Sequence, residues 1–184
     1  FSAWAVVIPK DPYRIVSRAY TCRDRPKYLR TPQADEWIEN GCLIEHPGNS
    51  VDFTAMVRDL CDAKAQYGVQ TWAFDPAFAK VIAQMLTEEF GAESVFQFTQ
   101  APRFYNEPVR QFMREFYNGN LEHDGDRCLA WQMSNLATVP NARDELMPAK
   151  GGTREYKIDA AVAVLMAFSE CLFAEKEEPS IYET

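Results

Sequence analysis

Histidine is nearly absent, with two in 184 residues, and the five cysteines, Cys22, Cys42, Cys61, Cys128 and Cys171, stand singly without a CxxC pair. That is poor material for a zinc site, and an odd count does not close a disulfide framework; reduced thiols of a cytoplasmic protein are the expectation. Basic charge is also short. With 19 Lys and Arg against 27 Asp and Glu the net charge is −8, which argues against an indiscriminate nucleic-acid binder, because such domains displace counterions with a basic face. A nuclease is not excluded, since metal-binding carboxylates are themselves acidic. No Gly-rich loop ending in GKS or GKT is present to bind ATP. Long apolar runs are missing too: residues 158–173 are interrupted by Asp159 and Glu170 and fall short of the roughly 20 residues of a membrane span. The apolar start of the chain has no basic region ahead of it and is not a signal peptide.

What is present is an ordinary globular composition, 47% hydrophobic and 25% charged, enough for one domain with a sizeable core. "AWAVVIP" and "YRIVSRAYT" read as two strands joined by a Lys10-Asp11-Pro12 turn. Residues 22–50 read as a long excursion with a short helix near Asp35 to Glu39. Phe53, Met56, Val57, Leu60 and Cys61 then recur at helical spacing, "VQTWAF" reads as a strand, and Phe78, Val81, Ile82, Met85, Leu86 and Phe90 mark a second amphipathic helix. The strand "SVFQFTQ" follows, then a helix over Val109, Phe112, Met113, Phe116 and Tyr117 that Gly119 closes. A mixed region leads to a long apolar C-terminal helix. Strands alternating with crossover helices predict an α/β fold whose second half is largely parallel.

Two carboxylates stand out. Asp159 lies in a helix that is apolar on nearly every side, where an unpaired charge is costly and is normally paired, neutralised or bound to metal. Asp75 ends the "VQTWAF" strand, at the edge where open α/β sheets place their sites. Other readings stay open: Asp75 before Pro76 suits a helix N-cap, and Asp159 near a helix start gains from the dipole. Their separation, 159 − 75 = 84 residues, carries no local geometry, so only the fold can bring them together.

In order and spacing, "WAFDPAFAKVIAQML", "FYNEPVRQFMREFYNGNLEHDGDRCLAWQMSNL" and "KIDAAVAVLMAF" resemble the C-terminal nuclease domain of tailed-phage terminase large subunits. The resemblance covers residues 1–175, leaving 176–184 as a solvated tail. It implies a ribonuclease H-like mixed sheet flanked by helices, and a metal-dependent endonuclease that cuts concatemeric viral DNA. It implies an acidic trio holding two divalent ions, Mg²⁺ or Mn²⁺, with Asp75 as its second and Asp159 as its third member. Such ions, about 3.5–4 Å apart, clamp the attacking and leaving oxygens of a phosphodiester displacement, and hard oxygen ligands suit them. His123, Asn135 and Lys150 match polar positions of the family and are candidates for supporting or phosphate contacts; the plain alternatives are a loop hydrogen bond for His123 and a solvated lysine for Lys150. The implied partners are double-stranded viral DNA, the terminase ATPase domain, the small terminase subunit and the portal, in the cytoplasm of a bacterial host. The family's first Asp lies on a strand ahead of the segment matching "FSAWAVVIP", and nothing in residues 1–20 replaces it. The resemblance thus implies a domain lacking its first, central strand, between "AWAVVIP" and "VQTWAF". The alternative to an active nuclease is a catalytically incomplete remnant or interaction module of the packaging machinery.

Overall fold

The computed structural model describes residues 1–24, 31, 33–76, 80–152 and 156–177. The tail residues 178–184 lie outside these, as does Phe78 of the second amphipathic stretch.

The first two strands form a hairpin: β1 (Ser2–Ile8) and β2 (Tyr13–Cys22) pair antiparallel from Ser2 opposite Tyr20 to Ile8 opposite Arg14. The connecting turn contains a cis Asp11–Pro12 bond. The long excursion contains the expected short helix, α1 (Ala34–Glu39), and a strand that its weak periodicity hides, β3 (Leu43–His46), running parallel to the C-terminal half of β2. Only four residues long, β3 offers Leu43 to one face of the sheet and Ile44 to the other, too little alternation to stand out.

α2 (Phe53–Tyr67) starts at Asp52, whose side chain accepts from the backbone N–H groups of Thr54 and Ala55. It stops at Gly68, which at φ +68° takes up the left-handed conformation that glycine adopts without steric cost. β4 (Trp72–Phe74), α3 (Lys80–Phe90), β5 (Val95–Gln97) and α4 (Pro102–Tyr117) follow, and β4 and β5 pair in parallel, as a crossover helix dictates. α4 begins well ahead of Val109 because Pro102 occupies its first turn, where a missing N–H costs nothing.

The mixed region resolves into β6 (Leu121–His123), parallel to the N-terminal half of β2, then α5 (Arg127–Ser134) and the hairpin of β7 (Leu136–Pro140) and β8 (Leu146–Lys150). α6 (Asp159–Glu177) closes the fold. Among the described residues no helix is long and apolar enough to cross a membrane.

Strand alternation sorts the core into two faces. Trp4, Val6, Val16 and Tyr20 pack with Met56, Val57 and Leu60 of α2 and Ile82, Leu86 and Phe90 of α3. Ala3, Ala5, Val7 and Ile15 pack with Tyr105, Val109 and Phe112 of α4 and Val164, Leu165 and Phe168 of α6. A smaller group, Ala19, Leu43 and Cys128, packs with Trp37 of α1. The result is a mixed sheet with helices on both sides.

β4 obeys the same division without joining the same ladder. Trp72 and Phe74 belong to the α2–α3 face and Ala73 to the α4–α6 face. Yet among the described residues β1 pairs only with β2, and β4 only with β5, so these two strands fall in separate hydrogen-bonded groups that share the same two cores.

Candidate functional site

Asp159 is the first residue of α6 and is half-buried. A carboxylate in the first turn faces the positive end of the helix dipole, which explains part of its tolerance on an otherwise apolar helix. The residues before it reach the start of β1: the Lys157 ammonium stands 6.0 Å from the centre of the Phe1 ring. Farther along α6, the Cys171 thiol donates to the Val7 carbonyl at 3.3 Å. α6 therefore runs along β1 in the same direction, with Asp159 at the N-terminal end of that strand.

Asp159 also stands close to Cys128, whose thiol is pushed up to about 12. Burial is the main cause; the hydrogen bond from Gln132 opposes it, and the negative charges of Asp126 and Asp159 add to it. Cys128 and Gln132 are both fully buried on α5.

Asp75, half-buried, directly follows β4. Its charge is felt by Tyr105 on α4: burial raises the Tyr105 hydroxyl above its ordinary range, the Gln100 hydrogen bond opposes this, and Asp75 reinforces it. Tyr105 donates to Gln100 Oε1 at 2.7 Å, and Gln100 Nε2 lies 3.7 Å from Met166 Sδ. Asp75 thus lies within electrostatic reach of Tyr105 on α4, which packs on the same face of the sheet as α6. The link through Gln100 reaches α6 at Met166, seven residues (166 − 159) beyond Asp159, or about 10 Å along the axis.

The other three candidates take different places. Asn135, buried at the end of α5, donates from Nδ2 to the Lys157 carbonyl at 3.3 Å, while its own carbonyl accepts from the Gly151 N–H at 2.8 Å. It fastens the approach to α6. His123 is exposed at the end of β6, and its Nδ1 accepts from the Gly125 N–H at 3.2 Å, the plain loop hydrogen bond. His123 pairs with Ile15 on β2, four residues from Ala19 (19 − 15), which packs beside Cys128 and Phe1; that is about 13 Å along the strand. Lys150 is exposed at the end of β8, in register with Leu136.

The donor chemistry of Asp75 and Asp159 fits a hard divalent cation, since Mg²⁺ is commonly held by one or two carboxylates and keeps several waters. It does not amount to a two-ion centre: among the described residues no group of three or more Asp, Glu, His or Cys side chains is arranged to hold a metal.

Two buried polar side chains near the start of α6 and α5 were not picked out from the sequence pattern. Gln132 sits inside "CLAWQMSN", a short amphipathic stretch in which a glutamine reads as an exposed polar position, and nothing local marks it as buried. Asp126 is the N-cap of α5, accepting from the N–H groups of Cys128 and Leu129 at 2.8 and 3.0 Å. An Asp ahead of "RCLAW" was a signal available in the sequence.

Comparison with known proteins agrees with this architecture. The crystal structure of the HK97 bacteriophage large terminase superposes with a TM-score of 0.75 at 19% identity, covering 92% of this chain and 39% of that one. Protein YmfN of Escherichia coli (strain K12) is 27% identical over 147 residues, 78% of this chain and 31% of that protein. This chain therefore spans about a third of the length of its curated relative. Residues 19–176 match the family described as "Terminase large subunit, endonuclease domain", and the chain belongs to that family.

Proposed function

We propose that this chain is the nuclease-fold portion of a phage or prophage DNA-packaging protein and that, within the residues described, it is catalytically incomplete. Asp75 and Asp159 are two ligands of a divalent-cation site, Mg²⁺ or Mn²⁺, which supplies phosphodiester hydrolysis only when a further carboxylate joins them. The observation that carries this reading is the divided sheet. β1 and β4 contribute to the same two cores but, among the described residues, share no backbone ladder, and the two carboxylates flank that division, one at the end of β4 and the other beside the start of β1. A strand between them would both close the sheet and carry a third acid to the same end.

In the assembled packaging protein the substrate is double-stranded viral DNA in the bacterial host cytoplasm. The net charge of −8 leaves grip on that DNA to other parts: the ATPase domain, the small terminase subunit and the portal. In this setting the chain serves as a docking and metal-contributing module, with cleavage a property of the completed domain.

The test uses the longer parent protein. Asp75→Asn and Asp159→Asn each abolish its Mn²⁺-dependent plasmid cutting, because each removes a ligand charge and little volume. Cutting at the parental rate in both variants would assign the activity elsewhere.

A further inference from the structure

Gln132 on α5 and Asn135, which caps its end, grip the approach and first turn of α6 on either side of Asp159. Gln132, with no exposed surface, accepts the Ala160 N–H on Oε1 at 2.8 Å and donates from Nε2 to Cys128 Sγ at 3.4 Å. Asn135, also buried, donates from Nδ2 to the Lys157 carbonyl at 3.3 Å. The first N–H groups of a helix have no partner within it, and here one is satisfied from a different helix by a side chain whose other end is also engaged. A glutamine buried on every side would otherwise cost free energy; its amide is fixed at both ends, and so is the rotation of the α6 first turn about its axis.

We infer that Gln132 and Asn135 are positioning residues for the Asp159 carboxylate, holding the start of α6 so that this group is presented to a divalent cation. Neither touches the cation; they act through the backbone of Lys157 and Ala160. The inference rests on the reading of Asp159 as a cation ligand. Outer partners of metal ligands typically govern affinity by 10- to 100-fold, so the consequence is measurable in metal binding itself.

The experiment measures Mn²⁺ dissociation constants by electron paramagnetic resonance for the wild-type chain and the Gln132→Met, Asn135→Ala, Gln132→Glu, Asp159→Asn and Tyr20→Phe variants. Thermal unfolding and amide exchange at Ala160 are followed in parallel. Gln132→Met keeps the side-chain shape and removes both hydrogen bonds. It is expected to weaken Mn²⁺ binding about 10-fold and to expose the Ala160 amide to exchange; Asn135→Ala is expected to weaken binding in the same direction. Gln132→Glu retains an acceptor for Ala160 and is expected to restore most of the affinity. Tyr20→Phe, on the opposite face of the sheet, is expected to lower thermal stability without changing Mn²⁺ affinity, which separates positioning from general destabilisation. Affinities within two-fold of wild type in folded Gln132→Met and Asn135→Ala, with Asp159→Asn binding no Mn²⁺, would overturn the positioning role while leaving the cation reading intact. Unchanged binding in Asp159→Asn would overturn both. Should Gln132→Met fail to fold, Asn135→Ala decides by the same criterion.

Discussion

Tyr20 has no exposed surface and joins two elements through one oxygen: it accepts the Trp4 Nε1–H at 2.8 Å and donates to Asp59 Oδ2 on α2. Burial, reinforced by the hydrogen bond to Asp59, raises the hydroxyl above its ordinary range, and it donates as a neutral phenol. Removing the oxygen leaves both the indole and the carboxylate short of a partner, the costly way to break a buried hydrogen bond. Tyr20→Phe is therefore expected to destabilise the chain by about 1–3 kcal/mol, measured by urea unfolding. No loss would mean that Trp4 and Asp59 find water instead. None of this was legible in "YRIVSRAYT", where Tyr20 reads as one more strand residue. Asp159 stood out in the sequence because a carboxylate in an apolar helix violates a local rule, and the structure places it at the first residue of α6; Gln132 violates none until α6 is placed against it.

Among the elements, the helices with strong periodicity, the β1–β2 strands and the short apolar runs of β4 and β5 were readable from sequence, and β3, β6, α5 and the β7–β8 hairpin were not. The missed strands, three to five residues long, lack the apolar run that marks the equally short β4 and β5, and each exists because β2 or a neighbour offers it a ladder, an interaction absent from its own sequence. α5 is held by a cap with an internal conflict. Asp126 accepts two backbone N–H groups, which favour its ionised form, but burial outweighs them and raises the carboxyl above its ordinary value of 3.8. The folded state then holds the proton more tightly than the unfolded chain does. The contribution of Asp126 to stability is fully present below pH 3.8 and is lost as pH rises through the elevated native value. Asp126→Asn keeps a good cap and removes that loss, whereas Asp126→Ala gives up the cap at a cost of about 1 kcal/mol. In urea unfolding the stability of Asp126→Asn relative to wild type should increase between pH 4 and pH 7; a decrease would show that the ionised form is the one the fold favours.

At the scale of the whole molecule the α/β class and the order of the long elements followed from periodicity and crossover rules, the sheet flanked by helices followed from the family resemblance, and the family followed from ordered segments rather than from any one of them. The relation between β1 and β4 could not be read locally, because among the described residues no ladder joins them. The same division predicts a stability change. Extending the chain before Phe1 by about 15 residues of its parent sequence, enough for one strand and its turn, should raise the thermal midpoint and tighten Mn²⁺ binding, since a strand laid between β1 and β4, which share no ladder among the described residues, gives both edges a hydrogen-bonded neighbour. Equal midpoints and equal affinities would show that no strand belongs there.

The central claim, that this chain contributes two carboxylates to a cation site it does not itself complete, is tested most directly by the stoichiometry of Mn²⁺ bound to the 184-residue chain. Isothermal titration of the wild type, Asp75→Asn and Asp159→Asn chains should find a single weak site in the wild type and none in either variant. Two ions bound by the wild-type chain, or one retained by both variants, would contradict the account.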